Sequence, residues 1–356
     1  MAKSKNIKTK TVKVKTGGDK KNAKIYRAVV IGCGRIGMLM ELDPKRPKPA
    51  THTGAFFHNE RTKLVGVADL DPEKLRQAEK MFPGVKGYTN AEEMIKVLKP
   101  DIVSIAAFHS AHYPMVMLAA KHKVPIIICE KPISDDFKEG REMIEACKLA
   151  GSKLVINHIR RFDPFLSEWA KKVQEGIVGE IQQVTAVYAI GLYHMGTHLI
   201  DLVRFYLGDI EWVSAFQNRK AHTAVPGDWC VDGVMSLKKG GRVVIQSINV
   251  KDYSTLELRI LGTKGEVFVR DLGRVVEYTP ASESRDYAGF NELHLTKQQR
   301  FHARDQVFFK GLANHAVEVL DGKTEVRSTG EDALKTLEIL AALKRSGELD
   351  GQKVMV

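Results

Sequence analysis

The chain has few of the features that mark a disulfide-stapled, metal-knuckle or membrane protein. Only four cysteines, Cys33, Cys129, Cys147 and Cys230, stand among 356 residues, and none has C-x-x-C spacing. Neither a disulfide framework nor a zinc knuckle is indicated, and reduced thiols fit a cytoplasmic protein. No apolar run approaches the roughly 20 residues needed to span a bilayer. A secretory signal is also lacking, because lysines occupy the place of its apolar segment. Acidic residues are outnumbered to a formal net charge of +12, but the imbalance is local. Residues 1–27 carry ten basic side chains against Asp19 alone, so nine of the twelve excess charges lie there. The nearly balanced remainder argues against a nucleic-acid-binding body. Residues 1–24, poor in apolar side chains, are expected to be a disordered, solvated tail, or one making non-specific anionic contacts such as with nucleic acid.

What is present starts at residue 25. A composition of 44% hydrophobic and 28% charged residues suits a soluble globular protein, and the length suggests two domains. Short apolar runs alternate with helical patterns through "YRAVVI", "KLVGVA", "DIVSIAA", "VPIIICE" and "KLVIN". That rhythm predicts βαβ units and a doubly wound parallel sheet over residues 25–156. Beyond residue 157 the rhythm changes to "EIQQVTAVYAI", "EWVSAFQNRK", "VDGVMSLKKGG", "RVVIQSINV", "STLELRILG", "GEVFVRD" and "RVVEYTP". These segments predict an α+β domain over 157–356, built on a large, mostly antiparallel sheet with one open face. Residues 299–320 and 331–345 read as helices that pack back on the first domain.

Gly32-Cys33-Gly34-Arg35-Ile36-Gly37 is G-x-G-x-x-G at the end of the first strand, expected to turn into a helix. The glycines serve a tight turn, close approach to a pyrophosphate and helix–strand packing, and the helix start offers free N–H groups. Asp69 ends the second strand, where a carboxylate accepts hydrogen bonds from ribose hydroxyls and repels a 2′-phosphate. No arginine follows it within "DLDPEK", so NAD is expected over NADP. Read without a nucleotide, Asp69 is a helix-start charge beside Asp71. It lies 32 residues beyond Gly37 instead of about 20, and "ELDPKRPKP" (41–49) accounts for the excess as an insertion. Farther on, "GLYHMGTHLID" (191–201) places His194, His198 and Asp201 at helical spacing. Acid–base work, zinc binding and plain packing are all open for them; the H-E-x-x-H order of a zinc helix is absent.

"VVIGCGRIG", "VGVADLDPEK", "CEKP" (129–132), "GTHLIDL" (196–202), "LRILGTKGEV" (258–267) and "GEDALKTLEI" (330–339) occur in order. With them the chain resembles the glucose–fructose oxidoreductase/inositol dehydrogenase (Gfo/Idh/MocA) family over residues 27–356. The resemblance implies an NAD(P)-dependent oxidoreductase acting on a secondary hydroxyl of a sugar, cyclitol or nucleotide sugar, as a homodimer or homotetramer. It puts the catalytic lysine on Lys131 and the histidine base on His198. Asp201 is the base's support and a substrate contact, and Lys131 and His194 are catalytic and touch the substrate. Arg160 or Arg161 meets a substrate phosphate or carboxylate or only anchors the domain interface. Besides the glycine loop and Asp69, it places His109, His112, Glu130 and Lys131 at the cofactor. No metal is implied. Two departures stand out. His194 occupies the family's usual Asp or Asn position, and Ala107-Phe108-His109 replaces Thr-Pro-Asn ahead of His112. A non-catalytic NAD- or sugar-binding regulator of the same family is the alternative these departures and the basic tail would fit.

Overall fold

The structure is a computed structural model that describes residues 23–303 and 308–356. The basic tail up to residue 22 lies outside the described residues. The chain divides into two compact units, residues 23–164 with 308–335 and residues 165–303 with 336–356.

The first unit is built on six parallel strands, β1 (Tyr26–Ile31), β2 (Thr62–Ala68), β3 (Lys86–Tyr88), β4 (Ile102–Ile105), β5 (Ile126–Cys129) and β6 (Lys153–Ile156). Their order is β3-β2-β1-β4-β5-β6. Strands covered on both faces carry continuous apolar runs, and all of Ile102, Val103, Ser104 and Ile105 are buried. The connecting helices are α1 (His52–His58), α2 (Pro72–Met81), α3 (Ala91–Leu98), α4 (His112–Lys121) and α5 (Phe137–Ala150). Several begin where the sequence supplies a cap. Asp71 accepts from the Glu73 N–H ahead of α2, Asn90 from Glu93 ahead of α3, and Asp136 from Lys138 ahead of α5. Gly151, at φ 73°, closes α5. Strand order reverses between β1 and β4, so the loops after these two strands face a topological switch point, the usual ligand site of such sheets.

The expected helix behind the glycine loop is split. The Met38 N–H reaches the Gly34 carbonyl at 2.9 Å and that of Met40 reaches Arg35 at 2.9 Å, giving one turn. The ladder resumes only when the N–H groups of His52 and Thr53 reach the carbonyls of Ile36 and Gly37, at 3.2 and 3.0 Å. The intervening segment is therefore looped out of a helix whose second half is α1. Glu41 closes the base of this loop by accepting from the Ala50 N–H (2.9 Å) and the Thr51 hydroxyl (2.8 Å).

The helix Phe308–Leu320 buries Phe309, Leu312, Ala313, Ala316 and Val317 in the same core as β1. On this helix His315 is buried, and its Nε2 accepts from the Arg327 N–H at 3.2 Å. Burial, with the nearby Arg327 charge, pulls its pKa down from 6.5 to about 4. The unfolded chain thus binds this proton more tightly, and stability falls as pH drops from about 6.5 towards about 4. Urea unfolding at pH 7 and pH 5 should show the native protein losing about 2 kcal/mol more than a His315→Gln variant. Equal losses would remove His315 as the cause.

The second unit holds a ten-stranded sheet and the helices α6 (Pro164–Gln174) and α7 (Thr197–Leu207). Its strands are β7 (Ile181–Tyr188), β8 (Ile210–Gln217), β9 (Val231–Leu237), β10 (Arg242–Ser247), β11 (Leu256–Gly262), β12 (Gly265–Arg270), β13 (Val275–Glu283), β14 (Asn291–Leu293), β15 (Gln299–His302) and β16 (Val354–Met355). The main path runs β14-β13-β12-β11-β7-β10-β9-β8-β16, antiparallel except where β7 meets β10. Burial alternates as a one-sided sheet requires. Val184, Ala186 and Tyr188 are buried, while Gln183, Thr185 and Val187 are half-exposed. Residues 299–302, expected to be helical, instead form β15, which pairs with β13. Period-2 chemistry decides it. Phe301 lies 4.9 Å from the Trp169 ring, and Arg300, on the other face, pairs with Glu277.

Candidate functional site

In the first unit the three glycines of the loop have different surroundings. Gly32 has φ +98°, and a Cβ there would lie 2.7 Å from the Ala106 backbone. A Cβ on Gly37 would lie 1.9 Å from the Gly32 carbonyl oxygen. At Gly34 a Cβ would meet nothing within 4 Å. The fold itself demands the outer two glycines, whereas the middle one keeps open space at the switch point. Asp69 ties this loop to the next helix. Its Oδ2 accepts from the Cys33 N–H at 2.7 Å and its Oδ1 from the Asp71 N–H at 2.9 Å, with Lys74 at 3.7 Å. Burial, then the Asp69 charge, pushes the Cys33 thiol up to about 12, which leaves it unreactive. Arg35 is exposed and Ile36 half-exposed.

The loop after β5 carries Glu130-Lys131-Pro132, with a cis bond between Lys131 and Pro132. Glu130 is buried, and its Oε1 accepts from His52 Nε2 at 2.8 Å and from the Asn157 amide. On the opposite side of the ring, His52 Nδ1 lies 2.7 Å from the Ser104 hydroxyl. Burial works to raise the Glu130 pKa, but the bonds from His52 and Asn157 and the Lys131 charge bring it below the ordinary value. Lys131 is half-buried. His112, buried at the start of α4, holds the carbonyl of Pro132 from Nδ1 at 2.7 Å and lies 3.3 Å from the Ala107 carbonyl. Burial lowers its pKa, with the Pro132 bond opposing, so the neutral ring donates from Nδ1. His109 pairs with Asp135, and the exposed Phe108 ring lies 4.0 Å from it. Arg161 is buried; its Nη1 donates to the Asp332 carboxylate and the Arg327 carbonyl, both at 2.9 Å. These bonds fix the chain after β6 to the start of the helix Gly330–Glu348.

In the second unit, "GLYHMGTHLID" is not one regular helix. Leu192–Gly196 form a π-helical turn that runs into α7, a distortion often found at functional positions. Asp228, which sequence reasoning missed, caps this turn. It accepts from the N–H groups of Tyr193 (3.0 Å), His194 (3.1 Å) and Trp229 (2.7 Å). His194 is exposed, His198 half-exposed and Asp201 buried. The face that carries them thus passes from solvent to interior along the helix. Among the described residues no group of three or more His, Cys, Asp or Glu side chains could hold a metal ion. Nor is any described helix long and apolar enough to cross a membrane.

Residues 26–158 match the model described as an oxidoreductase family with an NAD-binding Rossmann fold, and residues 189–268 match the GFO/IDH/MocA C-terminal domain. The chain belongs to the Gfo/Idh/MocA family. It is 25% identical over 222 residues to a D-apiose dehydrogenase of Paraburkholderia graminis, covering 58% of this chain but only 56% of that protein. It is 22% identical over 365 residues to the D-glucoside 3-dehydrogenase of Escherichia coli, covering 90% and 95% of the two chains. Its fold matches the WlbA dehydrogenase of Bordetella pertussis, solved with NADH and UDP-GlcNAcA, at TM-score 0.74 and 21% identity, over 95% and 99% of the two chains.

For this Gfo/Idh/MocA member the Rossmann unit is the NAD-binding domain, and its residues fit the cofactor. Gly34 leaves the space a pyrophosphate needs, and a carboxylate ends β2. A Gly34→Glu side chain would fill that space without touching the fold. We expect NAD affinity, read by quenching of protein fluorescence, to fall at least about tenfold, with thermal unfolding unchanged. Gly32→Ala should instead destabilise the protein by about 1–3 kcal/mol, because its backbone sits at positive φ. The opposite pattern would contradict this division of roles.

Proposed function

We propose that the protein is an NAD-dependent dehydrogenase acting on a secondary hydroxyl of a sugar, cyclitol or nucleotide sugar. The observation that carries this reading is Lys131 at the C-terminal edge of the parallel sheet, directly after a buried, hydrogen-bonded Glu130. That edge is where doubly wound sheets bind their ligands. Held by the glycine loop, NAD would supply the hydride-accepting chemistry for oxidation at the carbinol carbon. The Lys131 ammonium hydrogen-bonds the hydroxyl oxygen and stabilises the negative charge that develops on it. His198 accepts the hydroxyl proton as general base, and Asp201, one turn onward on α7, supports that helix from its buried side. His194, held through its N–H by Asp228, offers an imidazole where relatives commonly present a carboxylate or amide. A neutral ring supplies no negative charge, so the preferred substrate differs from theirs. The relatives' names set the panel: D-apiose, inositols, D-glucosides and UDP-linked sugar acids, each with NAD and with NADP. NAD reduction by one of them, at higher kcat/KM than with NADP, supports the reading. Binding of NAD without reduction by any would overturn it. We further infer assembly as a homodimer or homotetramer, which light scattering of the purified protein decides.

A further inference from the structure

Four polar side chains meet at one place in the interior of the Rossmann unit. His52 comes from α1, Ser104 from β4, Glu130 from the end of β5 and Asn157 from the end of β6. The first two are 0% exposed and Asn157 is 1% exposed. The bonds at 2.7 Å and 2.8 Å on either side of the His52 ring lock its orientation. Because the Glu130 carboxylate accepts at Nε2, the ring's proton lies there in the neutral tautomer, and the Ser104 hydroxyl donates to Nδ1. The order Ser–His–Glu resembles that of a nucleophilic triad, yet Ser104 has no path to solvent and cannot meet a substrate. Burying such a cluster costs free energy, and its product is one ionised carboxylate next to Lys131.

We propose that His52 is a positioning residue that keeps Glu130 an ionised carboxylate, so that the adjoining Lys131 keeps its ammonium. This rests on the role given to Lys131 above. The titratable groups that face Glu130 are His52 on α1, Lys131 beside it in the chain and His112 on α4, with the thiol of Cys129 on β5. Without the His52 donor, burial favours the neutral acid, Lys131 loses its counter-charge and its proton leaves more readily.

Lysines labelled by reductive methylation with 13C-formaldehyde report their own titration by NMR, and the Lys131 resonance is the one lost in Lys131→Met. In His52→Leu the Lys131 titration should move down by about one pH unit. His52→Gln, whose amide replaces the Nε2–H, should restore most of it. Should the leucine variant not fold, His52→Asn, too short to reach Glu130, serves with the same expectation. An unmoved Lys131 titration in a folded Leu or Asn variant overturns the proposal. In turnover assays the alkaline limb of the pH profile should shift down by the same amount at unchanged NAD affinity; a uniform loss at every pH would mean a merely structural role. The NMR shift needs no substrate, so its failure is separable from failure of the dehydrogenase reading, which shows as undiminished turnover in Lys131→Met.

Discussion

Replacing Lys131 by methionine should lower kcat by about a thousandfold while NAD affinity stays within a factor of about three. Methionine keeps the length and apolar stem of lysine but carries neither charge nor donor. The loss expected for removing one donor aimed at a developing oxyanion is about 10²–10³-fold, and loss of the positive charge places the effect at the upper end. Affinity is spared because the glycine loop, not Lys131, offers the backbone room for the pyrophosphate. Steady-state kinetics with a panel substrate, combined with fluorescence titration of NAD, gives both numbers. Turnover within a few-fold of native would remove Lys131 from the chemistry.

The second large effect belongs to His198. His198→Asn should lower kcat about a hundredfold or more, the span of general-base catalysis. A base works in its unprotonated form, so native turnover rises with pH through the imidazole titration, and the variant should lose that rising limb. Its fold should survive, because His198 is half-exposed and the turn leading into the helix is held by Asp228 through the N–H groups of Tyr193 and His194. A variant that keeps the rising limb would place the base elsewhere.

Much of the architecture could be read from the chain. Continuous apolar runs such as "IVSI" and "IIIC" mark strands covered on both faces. Among the elements that escaped, besides the short strands β3, β14 and β16, two did so for physical reasons that can be named. Residues 299–302 are too short to show period-2 alternation against the helix that follows, and only cross-strand partners such as Glu277 reveal them. The helix behind the glycine loop is divided by an insertion, which separates His52 in sequence from the turn it completes in space.

The sites show the same pattern. The glycine loop was legible because local spacing and family resemblance both mark it, whereas the roles proposed for Lys131 and His198 come from the resemblance. Ser104, the hydroxyl in an apolar strand, and Asn157 gave only a faint signal, since each makes sense only once Glu130 lies beside the partner it joins. Asp228 sits 34 residues beyond His194, and nothing in the spacing links the two. Long-range capping of this kind is invisible without coordinates.

The most direct test of the account follows the hydride itself. The native protein is mixed with NAD and a panel alcohol deuterated at its carbinol carbons, and the nicotinamide product is examined by mass spectrometry. The account predicts reduced cofactor carrying deuterium from at least one alcohol, and almost none when Lys131→Met replaces the native chain. Cofactor that binds but stays oxidised with every alcohol would contradict it and leave a nucleotide-binding protein without dehydrogenase chemistry.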